Sequence, residues 1–87
     1  LTDAMSTTLE RERRLTQSMI ETLQGLVEDA QQQGDIPADR SAGQLALMIY
    51  TQLMGVTQTW LFAPGLFDLN EQRDFFAERV LRALQQP

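Results

Sequence analysis

The sequence predicts an all-α chain of three helices. Apolar residues recur at helical spacing in three separate stretches, and Gly34/Pro37 and Pro64-Gly65 punctuate the chain between them. No period-two run bounded by turns offers a strand instead. The spacing places the helices near residues 4–33, 40–62 and 69–85.

The first helix opens at Asp3 or Ser6, either of which can cap it, and runs to about Gln33. Met5, Leu9, Met19, Ile20, Leu23, Leu26, Val27 and Ala30 fall on one face. Gly34 suits the left-handed position just past the helix end, Ile36 supplies the apolar contact that accompanies such a stop, and Pro37 bars continuation. The charged run Glu10–Arg14 reads as a solvated face with local ion pairs, each contributing about 0.2–0.5 kcal/mol. Glu12 and Thr16 fall inside the apolar stripe. They belong either to a solvent-facing helix end or to the polar lining of a ligand cavity, where a few polar groups orient an apolar guest.

The second helix starts near Asp39, taken as its N-cap, and ends at Phe62 or Ala63 before Pro64-Gly65. Ala42, Leu45, Ala46, Ile49, Leu53, Val56, Thr57 and Trp60 make a broad apolar face, which Leu47, Tyr50, Met54 and Leu61 widen past half the circumference. A helix this apolar needs cover on more than one side. Trp60 is expected to anchor the second helix on the third, with ligand stacking as the alternative. The third helix begins at Asp68, which stands three residues before Glu71 in the spacing of a capping box. Its stripe is Leu69, Phe76, Val80, Ala83 and Leu84, with Phe75 about 100° away.

Gly55 interrupts the second helix at a cost of about 1 kcal/mol relative to Ala. Close approach of another helix offsets such a cost; a tolerated exposed glycine is the other reading. Gly55 shares its face with Gln44, Thr51, Gln58 and Phe62, opposite the main apolar stripe. With Met48 and the off-stripe Phe75 these residues form the expected dimer interface, an isologous patch meeting its own copy.

Composition removes several function classes. Twelve acids face seven bases, all arginine, for a net charge of −5, so this chain does not bind a nucleic-acid backbone through its own charge. It has no Cys and no His, which excludes a thiol nucleophile, a histidine base and the common zinc sets. No glycine-rich phosphate loop occurs, and acids two apart, such as Glu10 and Glu12, do not share a helix face. No enzyme activity, cofactor or metal is expected. No apolar run is long enough to span a bilayer, and the absence of Cys fits a cytoplasmic protein.

The run Trp60-Leu61-Phe62-Ala63-Pro64-Gly65-Leu66-Phe67-Asp68-Leu69 resembles the ending of AcrR-type multidrug-responsive repressors of the TetR family. There a long helix ends in a Trp-Leu-Phe-Ala-Pro segment and a Phe-Asp-Leu-capped final helix follows. Gly34-Asp35-Ile36-Pro37-Ala38-Asp39 is similar to that family's turn between its seventh and eighth helices, and Gly55 before Trp60 also fits. The likeness runs from Thr16 to Leu84.

The resemblance implies that residues 1–87 are a C-terminal regulatory and dimerisation domain, without the helix-turn-helix head that reads DNA. The last two helices would join their mates in a dimeric four-helix bundle. Operator DNA would be reached only through the absent head, and no membrane partner is implied. The parent would sense a small apolar or cationic ligand and control an efflux or detoxification gene. Met19, Leu23, Tyr50 and Met54, with Glu12 and Thr16, are the residues expected to reach that ligand; ordinary core packing is the alternative for each. A free-standing helical dimerisation module of another regulator, with no ligand, is the competing class.

Overall fold

The computed structural model describes residues 2–85 and contains three helices: α1, Asp3–Gln32; α2, Ala42–Phe62; and α3, Leu69–Gln85. There is no strand among the described residues. The expected boundaries hold to within two residues, but two of the caps differ.

At the start of α1 the Met5 N–H donates to Thr2 Oγ1 at 3.1 Å, so Thr2 is the N-cap rather than Asp3 or Ser6. At the start of α2 the Gln44 N–H donates to Ser41 Oγ at 3.2 Å, which moves that cap from Asp39 to Ser41. The cause lies in the preceding loop. The Gln31 side-chain amide donates to the carbonyls of both Pro37 (3.1 Å) and Arg40 (2.9 Å), holding residues 37–40 as a turn before the helix can start. Asp68 caps α3 as expected, accepting from the Glu71 N–H at 3.1 Å.

The stop of α1 is a complete Schellman motif. Gly34 has φ +83°, its N–H reaches the Gln31 carbonyl at 3.1 Å, and the Asp35 N–H reaches the Ala30 carbonyl at 2.9 Å. Ile36 is then buried against the helices. At the other turn, Ala63 leaves the helical region at φ −144°, ψ 68°; the following proline disfavours the helical conformation there. The Leu66 N–H closes the Ala63–Leu66 turn at 3.1 Å.

The core sits at one end. Val27 of α1, Ile36 of the loop, Leu45 of α2, and Val80 and Leu84 of α3 form one buried cluster, with Ala30, Ala42, Met48, Ile49 and Phe76 packed on it. α3 returns antiparallel to α2 and reaches the α1–α2 junction only with its last turns. There the Arg40 guanidinium donates to the Ala83 carbonyl at 2.6 Å, joining residues 43 apart.

The molecule as a whole is a thin layer measuring 47 × 32 × 14 Å. Its radius of gyration is 15.8 Å. A compact chain of this length would have about 12 Å. The accessible surface is 6646 Å², against roughly 5,200 Å² expected for a compact monomer of this mass. About 1,400 Å² of surface is therefore left over.

Candidate functional site

The outer face of α2 follows from its helical phase. Ala46 and Ile49 point toward the packed side, and Gly43 lies against α1, where an added Cβ would rest 3.5 Å from Gln24 Oε1. The opposite arc carries Gln44, Thr51, Gly55, Gln58 and Phe62, all exposed. Phe62 is the extreme case, at 86% exposure. A Cβ added at Gly55 would meet nothing within 4 Å, so no neighbour within this chain accounts for that glycine. Met48, on the same arc, is partly withdrawn because it packs on the buried cluster of its own chain. Phe75 of α3 is 52% exposed, with the Arg79 guanidinium 5.0 Å from its ring centre.

This face is less polar than its composition. The hydroxyls of Thr51 and Thr59 donate back to the carbonyls of Met48 (3.1 Å) and Gly55 (2.7 Å). Each threonine thus spends its hydrogen on its own helix and leaves its methyl available for packing.

α2 and α3 leave a groove between them. Gln52, Gly55, Val56, Thr59, Phe67, Gln72 and Phe76 line an open depression of about 430 Å³. On the other side of the same pair, Leu53, Val56, Thr57, Leu69, Asn70, Arg73 and Phe76 line a smaller one of about 210 Å³. Val56 and Phe76 separate the two. The sequence reading found Gly55 but missed Thr59, Phe67 and Gln72 beside it. Thr59 stands four residues from Gly55, so helical spacing offered a signal; Phe67 and Gln72 depend on where α3 returns, and carried none.

The ligand candidates are placed mostly along α1 and its contact with α2. Glu12 and Thr16 lie together in an open depression of about 490 Å³ with Leu9, Arg13, Gln17, Ile20 and Glu21. Met19 is half exposed on the same helix, and Leu23, Tyr50 and Met54 are partly buried. Trp60 is also partly buried, apart from the core cluster. Glu10 accepts from Arg13 at 2.6 Å and Arg14 at 3.2 Å. The hydrogen bond from Arg13 holds the Glu10 carboxyl below its ordinary range, and the same bond raises Arg13. No cluster of metal-ligating side chains occurs among the described residues, and no described helix is long and apolar enough to cross a membrane.

Among the described residues, three capped helices enclose a core at one end and leave the outer face of the α2–α3 pair uncovered. The family model of the MAATS-type transcriptional repressors, C-terminal region, matches residues 1–86. The chain belongs to that family, of the TetR/AcrR type, as its C-terminal regulatory region; these are transcriptional repressors rather than enzymes. Comparison with the curated proteins and with the solved structures gave no match.

Proposed function

We propose that this region dimerises a ligand-responsive repressor and forms part of its ligand cavity. α2 and α3 pair with their mates in an isologous four-helix bundle. α1 and the neighbouring flank of α2 line the cavity, with Met19, Leu23, Tyr50 and Met54 as its apolar wall and Glu12 and Thr16 as polar contacts. Methionine suits a permissive cavity because its side chain is flexible and polarizable. DNA binding belongs to a helix-turn-helix head N-terminal to this region, in the cytoplasm. A small apolar or cationic ligand then changes the spacing of two such heads, and the regulated gene encodes efflux or detoxification.

The surplus surface carries the dimer reading. If half of the roughly 1,400 Å² belongs to the α2–α3 face, a two-fold interface buries about 1,400 Å² in total, the standard size for a specific complex. If nearly all of it does, the interface reaches about 2,800 Å², in the range of permanent dimers.

Sedimentation of the full-length protein at micromolar concentration should give a dimer, and thermal-shift titration with cationic dyes should raise its melting temperature in a saturable way. A monomer would remove the bundle. A dimer indifferent to every apolar and cationic compound tried would leave dimerisation and remove the ligand role.

A further inference from the structure

We infer that the mate docks by a reciprocal exchange of one side chain: Phe62 of each subunit enters the other's α2–α3 groove over Gly55, with the two-fold axis passing between Gln58 and Thr59. This rests on the dimer reading above and specifies the contact that fixes its register.

Gly55 and Phe62 are seven residues apart in α2, which sets them within about 20° of the same azimuth and about 10.5 Å apart along the helix. One has no side chain; the other is a large apolar group left 86% exposed. Where a helix crosses its antiparallel two-fold mate, a residue on one side of the axis meets the residue equally far beyond it. The midpoint between Gly55 and Phe62 falls between Gln58 and Thr59. An axis there lays Phe62 over the partner's Gly55, twice by symmetry. An axis at Gly55 itself would set Phe62 on the partner's Met48, a bulky residue already packed on its own core. An axis at Phe62 would stack the two rings and leave both grooves unfilled.

The groove suits the ring. Val56, Phe67 and Phe76 give it apolar walls, and the missing Cβ of Gly55 leaves its floor open. Gln52 and Gln72 stand at its rim, where water can still reach them. The Gly55 carbonyl already accepts from Thr59 at 2.7 Å, so covering it leaves no orphaned acceptor. The exposed Gln58 amide beside the axis can pair with its own copy across it.

Cysteine cross-linking of the full-length protein tests the register, since this chain brings no cysteine of its own. Within one α2, positions 55 and 62 are about 10.5 Å apart, beyond the reach of a disulfide, which needs Cα atoms within about 7 Å. A Gly55→Cys/Phe62→Cys double variant can therefore bridge these sites only between subunits. Mild oxidation should convert it to covalent dimer, while each single variant stays uncrosslinked. Gln58→Cys alone, next to the axis, should cross-link to itself, and it leaves groove and ring intact should the double variant not fold. Phe62→Ala should raise the dimer dissociation constant on the order of 100-fold or more, as expected for two symmetric buried anchors, and Gly55→Leu should weaken the dimer by filling the groove. Leu61→Ala, exposed but on another arc, should leave it unchanged.

A wild-type dimer in which neither the double variant nor Gln58→Cys cross-links, or in which Phe62→Ala and Leu61→Ala behave alike, would overturn the exchange and leave the bundle standing. A monomeric wild type would remove both.

Discussion

The two ends of the molecule are made of similar residues and finished differently. At the end where α1 turns into α2, Val27, Ile36, Leu45, Val80 and Leu84 are enclosed, the helix stop is closed by two backbone hydrogen bonds, and Gln31 and Arg40 tie the loop from both sides. At the other end Met5, Leu9, Leu61, Phe62 and Leu66 are all more than half exposed, with no buried cluster beneath them. Hydropathy alone does not separate the two. What separates them is what the third element delivers: the last turns of α3 bring Val80 and Leu84 onto the core, whereas beside the C-terminal half of α2 the first turns of α3 line only open grooves. The buried cluster of the chain lies at the closed end, and the open end leaves its large apolar side chains exposed.

The largest test of that contrast compares two leucines. Leu45→Ala empties a packed position and should destabilise the full-length protein by about 2–5 kcal/mol. Leu9→Ala, at the open end, should change the intrinsic stability of this region by no more than about 0.5 kcal/mol, as an exposed substitution does. Chemical denaturation of both variants checks this; equal losses would mean that the two ends are equally buried in the working protein.

A smaller effect sharpens the account of the closed end. Gln31→Ala removes two hydrogen bonds from a partly buried loop and should cost about 1–2 kcal/mol, since the Pro37 and Arg40 carbonyls lose their protein donor. Hydrogen exchange should then quicken at the first turn of α2, while the first turn of α1 stays as it was. Unchanged exchange at α2 would show that Ser41 holds that helix start unaided.

The smallest effect belongs to the open half of α1. Glu10 has its carboxyl depressed chiefly by the Arg13 hydrogen bond, so its ion pairs contribute above the ordinary carboxylate pKa and are lost as pH falls through the lowered value. Both partners are solvent-exposed, so the pairs contribute little to global stability. An NMR titration should find the Glu10 carboxyl protonating below the ordinary carboxylate range, and Arg13→Gln should bring it back toward that range. A Glu10 midpoint unmoved by Arg13→Gln would locate the cause elsewhere.

Much of this arrangement was legible in the sequence where the cause is local. Gly34 before Ile36-Pro37 announced its left-handed stop, and Asp68 three residues before Glu71 announced a cap. The Glu10–Arg14 ion pairs followed from helical spacing. The phase of the α1 stripe was readable too, but not how far along it the cover extends: Val27 is buried, while Met5, Leu9 and Met19 on the same stripe are half exposed. That depends on where α3 comes to rest, which no local pattern encodes. The same holds for the α2 cap, expected at Asp39: the Gln31 side chain holds the loop ahead of the helix, and the cap falls at Ser41. On the candidate dimer face, Gly55 was singled out because a glycine inside a helix breaks a local rule. The walls that give it a groove come from Phe67 and Phe76, beyond the turn.

The length of α1 has a mechanical consequence. The buried residue of α1, Val27, lies near its C-terminal end, so the helix N-terminal to Gly25 would act as a stiff arm if it tilted about that seat. From Gly25 to Asp3 is about 33 Å at 1.5 Å per residue. A tilt of about five degrees at the pivot, small enough to keep the Val27 packing, would swing the far tip by about 3 Å. Any force on the helix near Thr16 or Met19 would act on that arm partway out, and its far tip would carry the motion enlarged.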